Sequence, residues 1–162
     1  MAHRTIIFDS EITQESVITL INTIEELVED FNITLYFSTD GGLVHIMDIL
    51  IDCLTRYPSI DVVLTNATCS CGMYIFQIPN KITLGPSFSH GMIHKADVDD
   101  LSYRDYRSKD RNDTKAAITH LKRLWSIDRV NYCLTQEQQD QYDSGKDVYL
   151  YYNQMKEILR SR

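Results

Sequence analysis

Two side chains in this sequence could do chemistry together. Ser70 lies in Asn66-Ala67-Thr68-Cys69-Ser70-Cys71-Gly72-Met73, and His94 closes Gly91-Met92-Ile93-His94, 24 residues further on. A serine hydroxyl is a poor nucleophile until a neighbouring imidazole takes its proton. The same imidazole can return that proton to a leaving amine. Acyl transfer from a peptide also needs donors for the oxygen that becomes negative. Ser70 stands where backbone donors are available. Ahead of it, Ile60-Asp61-Val62-Val63-Leu64-Thr65 is a β-branched apolar run, expected as a buried strand. Behind it, Gly72-Met73-Tyr74-Ile75-Phe76 is expected as the first turns of a buried helix. Unpaired N–H groups at such a junction favour an anionic intermediate. The bland alternative is a helix N-cap serine, a common use of this residue.

A second junction of the same kind lies upstream. Asn32-Ile33-Thr34-Leu35-Tyr36-Phe37 is strand-like and ends in Ser38-Thr39-Asp40-Gly41-Gly42. From Leu43 to Tyr57, apolar Val44, Met47, Ile51 and Leu54 recur at helical spacing. Paired glycines between strand and helix let backbone approach a ligand closely. They serve equally as a tight strand-to-helix turn.

The remaining elements supply the frame. Thr5 to Phe8 is a predicted strand, and Gln14 to Asp30 a helix with Val17, Leu20, Ile21, Ile24 and Leu27 on one face. Lys81-Ile82-Thr83-Leu84 and Gly91 to His94 add strands. Thr135 and Gln138 form a capping box, so a helix begins there. Asp147 to Tyr152 is a late strand leading into a C-terminal helix, with Tyr149, Tyr151 and Tyr152 as edge packing or a subunit contact. Alternating strands and helices imply an α/β fold with a mostly parallel sheet and right-handed crossovers. Asp97 to Asp113 is a dense mixed-charge stretch, and Thr114 to Ser126 a helix with Ala117, Ile118, Leu121, Leu124 and Trp125 on one stripe.

Composition narrows the function classes. The chain has 162 residues, expected as a single domain over 1–162, and a formal net charge of −7. With a pI near 5.1, nucleic acid is not the default partner. Cys53, Cys69, Cys71 and Cys133 lack paired metal-ligand spacing, and are read as reduced thiols of a cytoplasmic protein. Cys69 or Cys71 as a thiol nucleophile is the minor alternative to Ser70. No secretory signal is visible, no segment approaches a membrane span, and no phosphate-binding glycine-lysine loop is present. His90, four residues before His94, shares its strand face and competes as the base. His45 falls on the helix after the glycines, as a surface or packing residue.

Taken in order, Ile6-Ile7-Phe8, Glu11-Ile12-Thr13, Leu35-Tyr36-Phe37-Ser38, Gly41-Gly42, Thr68-Cys69-Ser70-Cys71-Gly72 and Met92-Ile93-His94 resemble the proteolytic subunit of the Clp protease. The correspondence runs over roughly residues 5–96, as a divergent and shortened member, viral or organellar, would show. The resemblance implies a crotonase-like superhelix of ββα units, a serine-type endopeptidase, and no cofactor or metal. It implies Ser70 as nucleophile, His94 as general base, and the amides of Gly42 and Cys71 as the oxyanion hole. Substrate backbone would pair beside Gly41, Gly42, Leu43 and Lys95. For the third triad member, register from Leu134-Thr135 points to Asn131, with Asp128 as the competitor. Asparagine can fix an imidazole tautomer but adds no full charge.

The same resemblance implies a homo-oligomer of two stacked heptameric rings acting on peptides or unfolded proteins. Residues 97–126 would be a reduced handle, and the glycine-rich segment after the catalytic histidine is replaced by Lys95-Ala96-Asp97-Val98-Asp99-Asp100. The sequence starts almost at the first strand, without the axial stretch that meets a Clp-type ATPase, which leaves that partner open. Two other functions compete: a non-catalytic subunit that modulates a partner protease, and a crotonase-type enzyme acting on thioesters.

Overall fold

The computed structural model of the chain describes residues 1–94 and 134–162. The chain divides into two compact units, one formed by Met1–Ile93 with Val148–Arg162, the other by His94–Asp147.

The first unit is organised by hydrophobic alternation. Strands β1 (Ala2–Asp9), β2 (Phe31–Thr39) and β3 (Asp61–Cys69) bury every second side chain over part of their length, including Ile6 and Phe8, Leu35 and Phe37, Val62 and Leu64. Two crossover helices cover the sheet: α1 (Gln14–Leu27), buried through Val17, Leu20 and Ile24, and α2 (Val44–Arg56), buried through Met47, Leu50, Ile51 and Leu54. Each such side chain removed from water contributes about 1.5 to 3 kcal/mol before conformational entropy is charged against it. The predicted first helix stops at Leu27 rather than Asp30, and Thr13 and Ser16 close a reciprocal cap at its start, each bond 3.1 Å.

The sheet has six strands in the order β1-β2-β3-β5-β6, with β4 paired to β3 off this path. Strands β4 (Ile82–Leu84) and β5 (His90–Ile93) run parallel to β3, against Val62–Leu64 and Ala67–Cys69 respectively. Strand β6 (Val148–Leu150) closes the edge antiparallel to β5. All five parallel strands end on one side of the sheet, and the open end of a parallel sheet is where such folds bind ligands.

Helix α4 (Tyr152–Arg160) follows β6 and buries Met155 and Ile158. Met155 fits because β5 carries Gly91, where a Cβ would lie 2.7 Å from its sulfur. The last residue, Arg162, donates to the carbonyl oxygens of Ile78 and Asn80, tying the chain end to the segment before β4.

The segment after β3 departs from expectation. Ser70–Gln77 is a 3-10 helix rather than an α-helix. Its first residue has φ +55°, which cannot start an α-helical ladder, and Cys71, Gly72, Met73, Ile75 and Phe76 are all buried. Tighter winding suits a short segment enclosed on most sides.

In the second unit, helix α3 (Gln136–Asp143) starts at the predicted capping box, with Gln138 N–H on Thr135 Oγ1 at 3.2 Å and Thr135 N–H on Gln138 Oε1 at 2.9 Å. The predicted handle at 97–126, with Cys133, lies outside the described residues. Among the described residues no helix is long and apolar enough to cross a membrane, and Cys53, Cys69 and Cys71 are buried free thiols.

Candidate active site

The sheet delivers Ser70 and the double glycine to the same place. Strand β2 ends at Thr39 and β3 at Cys69, with Thr39 paired to Thr68. The register between the two strands slips on the way. Phe37 pairs with Leu64, but Thr39 pairs with Thr68, so β3 carries extra residues over this stretch. Asn66, with φ +47°, takes up the slack. The Ser38 hydroxyl fills the gap in the ladder, accepting the Ala67 N–H at 3.3 Å and donating to the Ala67 carbonyl at 3.1 Å. This irregularity sets how far β3 reaches, and therefore where Ser70 stands.

Ser70 is half-buried and has left-handed backbone, φ +55°. A non-glycine residue in such a conformation costs on the order of 1 to 3 kcal/mol, and persists only where its surroundings impose it. The cap of the 3-10 helix is Cys69, not Ser70. The N-cap explanation for this serine therefore does not apply.

Gly41 packs directly against it. A Cβ on Gly41 would lie 2.7 Å from Ser70 Cβ, 3.2 Å from its Oγ and 3.3 Å from the Cys69 carbonyl oxygen. The backbone of Gly41, φ +115°, is also one that other residues rarely adopt. Gly42, φ +147°, is needed for a different reason, since a Cβ there would run into the carbonyl group of Ile12.

The Gly41–Gly42 peptide is held from the β1–α1 loop. Ile12 N–H donates to the Gly41 carbonyl at 2.8 Å, and Leu43 N–H donates to the Ile12 carbonyl at 2.9 Å. Ile12 and Gly42 thus form an isolated parallel bridge. In a planar trans peptide the N–H points opposite to the C=O. With the Gly41 carbonyl turned toward Ile12, the Gly42 N–H is turned away from it. It faces Cys71: the amides of Gly42 and of Cys71 itself both act on the Cys71 sulfur. Burial pushes this thiol up to about 11, and the two amides pull the other way. The Gly42 amide thus lies on the Cys71 side of the loop, next to the Gly41–Ser70 contact.

A cleft of about 430 Å³ adjoins this loop, lined by Asp9, Ser10 and Glu11 from the end of β1 and by Ser38 to Gly42.

The other predicted residues are placed as follows. Leu43 caps α2 and is largely exposed. Cys69 of β3 pairs with Met92 of β5, so β5 runs out beside the residue before Ser70. His94 follows the end of β5 in the chain, is half-buried, and is the first residue of the second unit. His90 sits at the opposite end of β5, paired with Ala67. Its Nδ1 is 2.9 Å from Ser89 Oγ and its ring meets Tyr149 edge-on at 5.4 Å, which occupies it in packing. His45 is exposed on α2. Lys95, Asp128 and Asn131 lie outside the described residues. Among the described residues no cluster of His, Cys, Asp or Glu is suited to a metal ion.

Sequence reasoning missed three contributors: Thr39, Ser38 and Ile12. Thr39 left a signal. A threonine two residues before a glycine is the spacing at which its hydroxyl takes the glycine N–H. Ser38 and Ile12 left none, because their parts depend on strand register.

Comparison with known proteins gives the fold and nothing finer. No family model matches the chain, and no curated protein sequence matches it. Among solved structures, ClpP1 from Listeria monocytogenes superposes with a TM-score of 0.64 at 20% identity, covering 95% of this chain and 86% of that one. An asparagine-to-aspartate mutant of the same ClpP1 gives a TM-score of 0.64 at 22% identity, covering 96% and 86%. In architecture this chain has the ClpP-like α/β fold.

Proposed function

We propose that this protein is a serine-type endopeptidase of the Clp proteolytic-subunit type. Ser70 attacks the scissile carbonyl while His94 takes its proton and passes it to the leaving amine. The acyl-enzyme is then hydrolysed by water, with His94 as the base again. The amides of Gly42 and Cys71 hold the oxyanion. Asn131 orients His94, with Asp128 as the alternative. Substrate backbone pairs in extended form beside Gly41, Gly42, Leu43 and Lys95, giving broad specificity.

The observation that carries this reading is the packing of left-handed Ser70 on Gly41, with the Gly42 amide turned toward the same spot. The ClpP-like fold supports a homo-oligomer, and we assign it rings, stacked in pairs, that enclose the site. Such a chamber takes peptides and loose chains.

The test is a fluorophosphonate probe together with a fluorogenic peptide. Labelling at Ser70 that disappears in Ser70→Ala and in His94→Ala, with particle mass unchanged, is the expected result. Absence of labelling in an intact particle would leave the second reading, a non-catalytic subunit. Comparing Asn131→Ala with Asp128→Ala decides the third member, as only the orienting residue slows cleavage sharply.

A further inference from the structure

We infer that Thr39 is a positioning residue, whose hydroxyl and methyl group together hold the oxyanion-binding loop and the nucleophile turn in register. The inference rests on the peptidase reading and adds to it a residue that touches no reacting atom.

Thr39 is the last residue of β2 and only 2% exposed. Its Oγ1 accepts the Gly41 N–H at 3.1 Å. That bond fixes the peptide plane before Gly41, as the Ile12 bond fixes the plane after it. With both planes set, Gly41 has no remaining backbone freedom, and the direction of the Gly42 N–H follows. Glycine would otherwise be the loosest residue in the loop.

The other branch of Thr39 faces the nucleophile turn. Its Cγ2 occupies the space that a Cβ on Gly72 would need. Gly72 is two residues past Ser70 and buried. A β-branched side chain has few χ1 choices. With the methyl pressed on Gly72, the hydroxyl is committed to Gly41. One side chain thus sets the distance between the two chain segments that carry the proposed oxyanion donors. Serine keeps the hydroxyl without the methyl, and valine keeps the shape without the hydroxyl.

The experiment measures peptide cleavage by Thr39→Val and Thr39→Ser in the assembled protein, with particle mass and thermal midpoint recorded for each. Thr39→Val is expected to lower kcat roughly tenfold to a hundredfold with KM nearly unchanged, as misdirected donors lose transition-state binding alone. Thr39→Ser is expected to lose about threefold to tenfold in kcat, less than Thr39→Val, because it keeps the hydroxyl but not the methyl that commits it to Gly41. If Thr39→Val fails to assemble, Thr39→Ala replaces it, and kcat for Ser should exceed that for Ala by about tenfold. Wild-type kcat in Thr39→Val, or equal losses in Ser and in the hydroxyl-free variant, overturns the inference. A wild-type protein that neither cleaves peptide nor labels at Ser70 overturns the peptidase reading itself, which is a distinguishable result.

Discussion

Gly41 and Ser70 are packed so closely that the glycine has no room for a side chain: its Cβ would lie 2.7 Å from the serine Cβ. Neither residue can shift alone, because Gly41 is bonded to Thr39 and Ile12 while Ser70 directly follows a strand paired on both sides. Gly41→Ala therefore meets two penalties, a steric one against Ser70 and a conformational one at φ +115°. We expect the rate of Ser70 labelling by a fluorophosphonate to fall at least about a hundredfold. Stability should drop by about 1 to 3 kcal/mol in urea unfolding. Labelling at the wild-type rate would mean that the loop is free to move away.

Gly72 and Thr39 are coupled in the same manner but without backbone strain at the glycine. Gly72→Ala alone should destabilise the fold by about 1 to 3 kcal/mol, since its new methyl overlaps Thr39 Cγ2. Thr39→Ser removes that methyl. In the double variant we expect much of the loss to be recovered, a coupling of about 1 kcal/mol or more in a double-mutant cycle. Strict additivity would show that the clash is relieved elsewhere.

The elements of the first unit were legible because their residues agree with them at every level. Ile60 to Thr65 is β-branched and apolar, and it lies almost wholly in β3; Met47, Ile51 and Leu54 recur at helical spacing, and all are buried on α2. Thr135 with Gln138 announced a cap that is present in both of its bonds. That Ser70 and the double glycine lie at strand-to-helix junctions was legible for the same reason, as each follows a predicted strand. What could not be read was how those strands are set against one another. The slip between Phe37–Leu64 and Thr39–Thr68 depends on Asn66 adopting positive φ and on the Ser38 hydroxyl filling the gap. Both are consequences of tertiary pairing, and a slip of two residues keeps each side chain on its own face, so it leaves no trace in the alternation. The 3-10 winding of Ser70–Gln77 was hidden likewise, since its apolar residues suit any buried helix.

The strain at Ser70 is itself measurable. Its φ of +55° is open to glycine and costly to residues with a Cβ. Ser70→Gly should accordingly be more stable than Ser70→Ala by about 1 kcal/mol, although both lack the nucleophile. Thermal and urea unfolding of the two inactive variants, side by side, give the difference directly. Equal stabilities would indicate that the turn relaxes once the hydroxyl is gone, and that the hydroxyl rather than the strand sets the conformation.

Cys71 makes stability depend on pH in the alkaline range. Its thiol, 2% exposed, is pushed from an ordinary 9.0 to about 11, chiefly by burial. Between those values the unfolded chain has lost the proton and the folded chain keeps it, so unfolding releases a proton and rising pH favours it. The contribution is complete below about pH 9, and by about pH 11 most of it, about 2 to 3 kcal/mol, has gone. Cys71→Ala removes this slope whatever constant offset the substitution brings. Cys53 and Tyr142, also shifted upward by burial, titrate in both proteins and cancel in the comparison. Urea midpoints from about pH 8 to about pH 10.5 should therefore converge or cross, wild type falling faster than Cys71→Ala. Parallel curves would mean that the sulfur is reached by water, and that the turn after Ser70 is more open than its burial indicates.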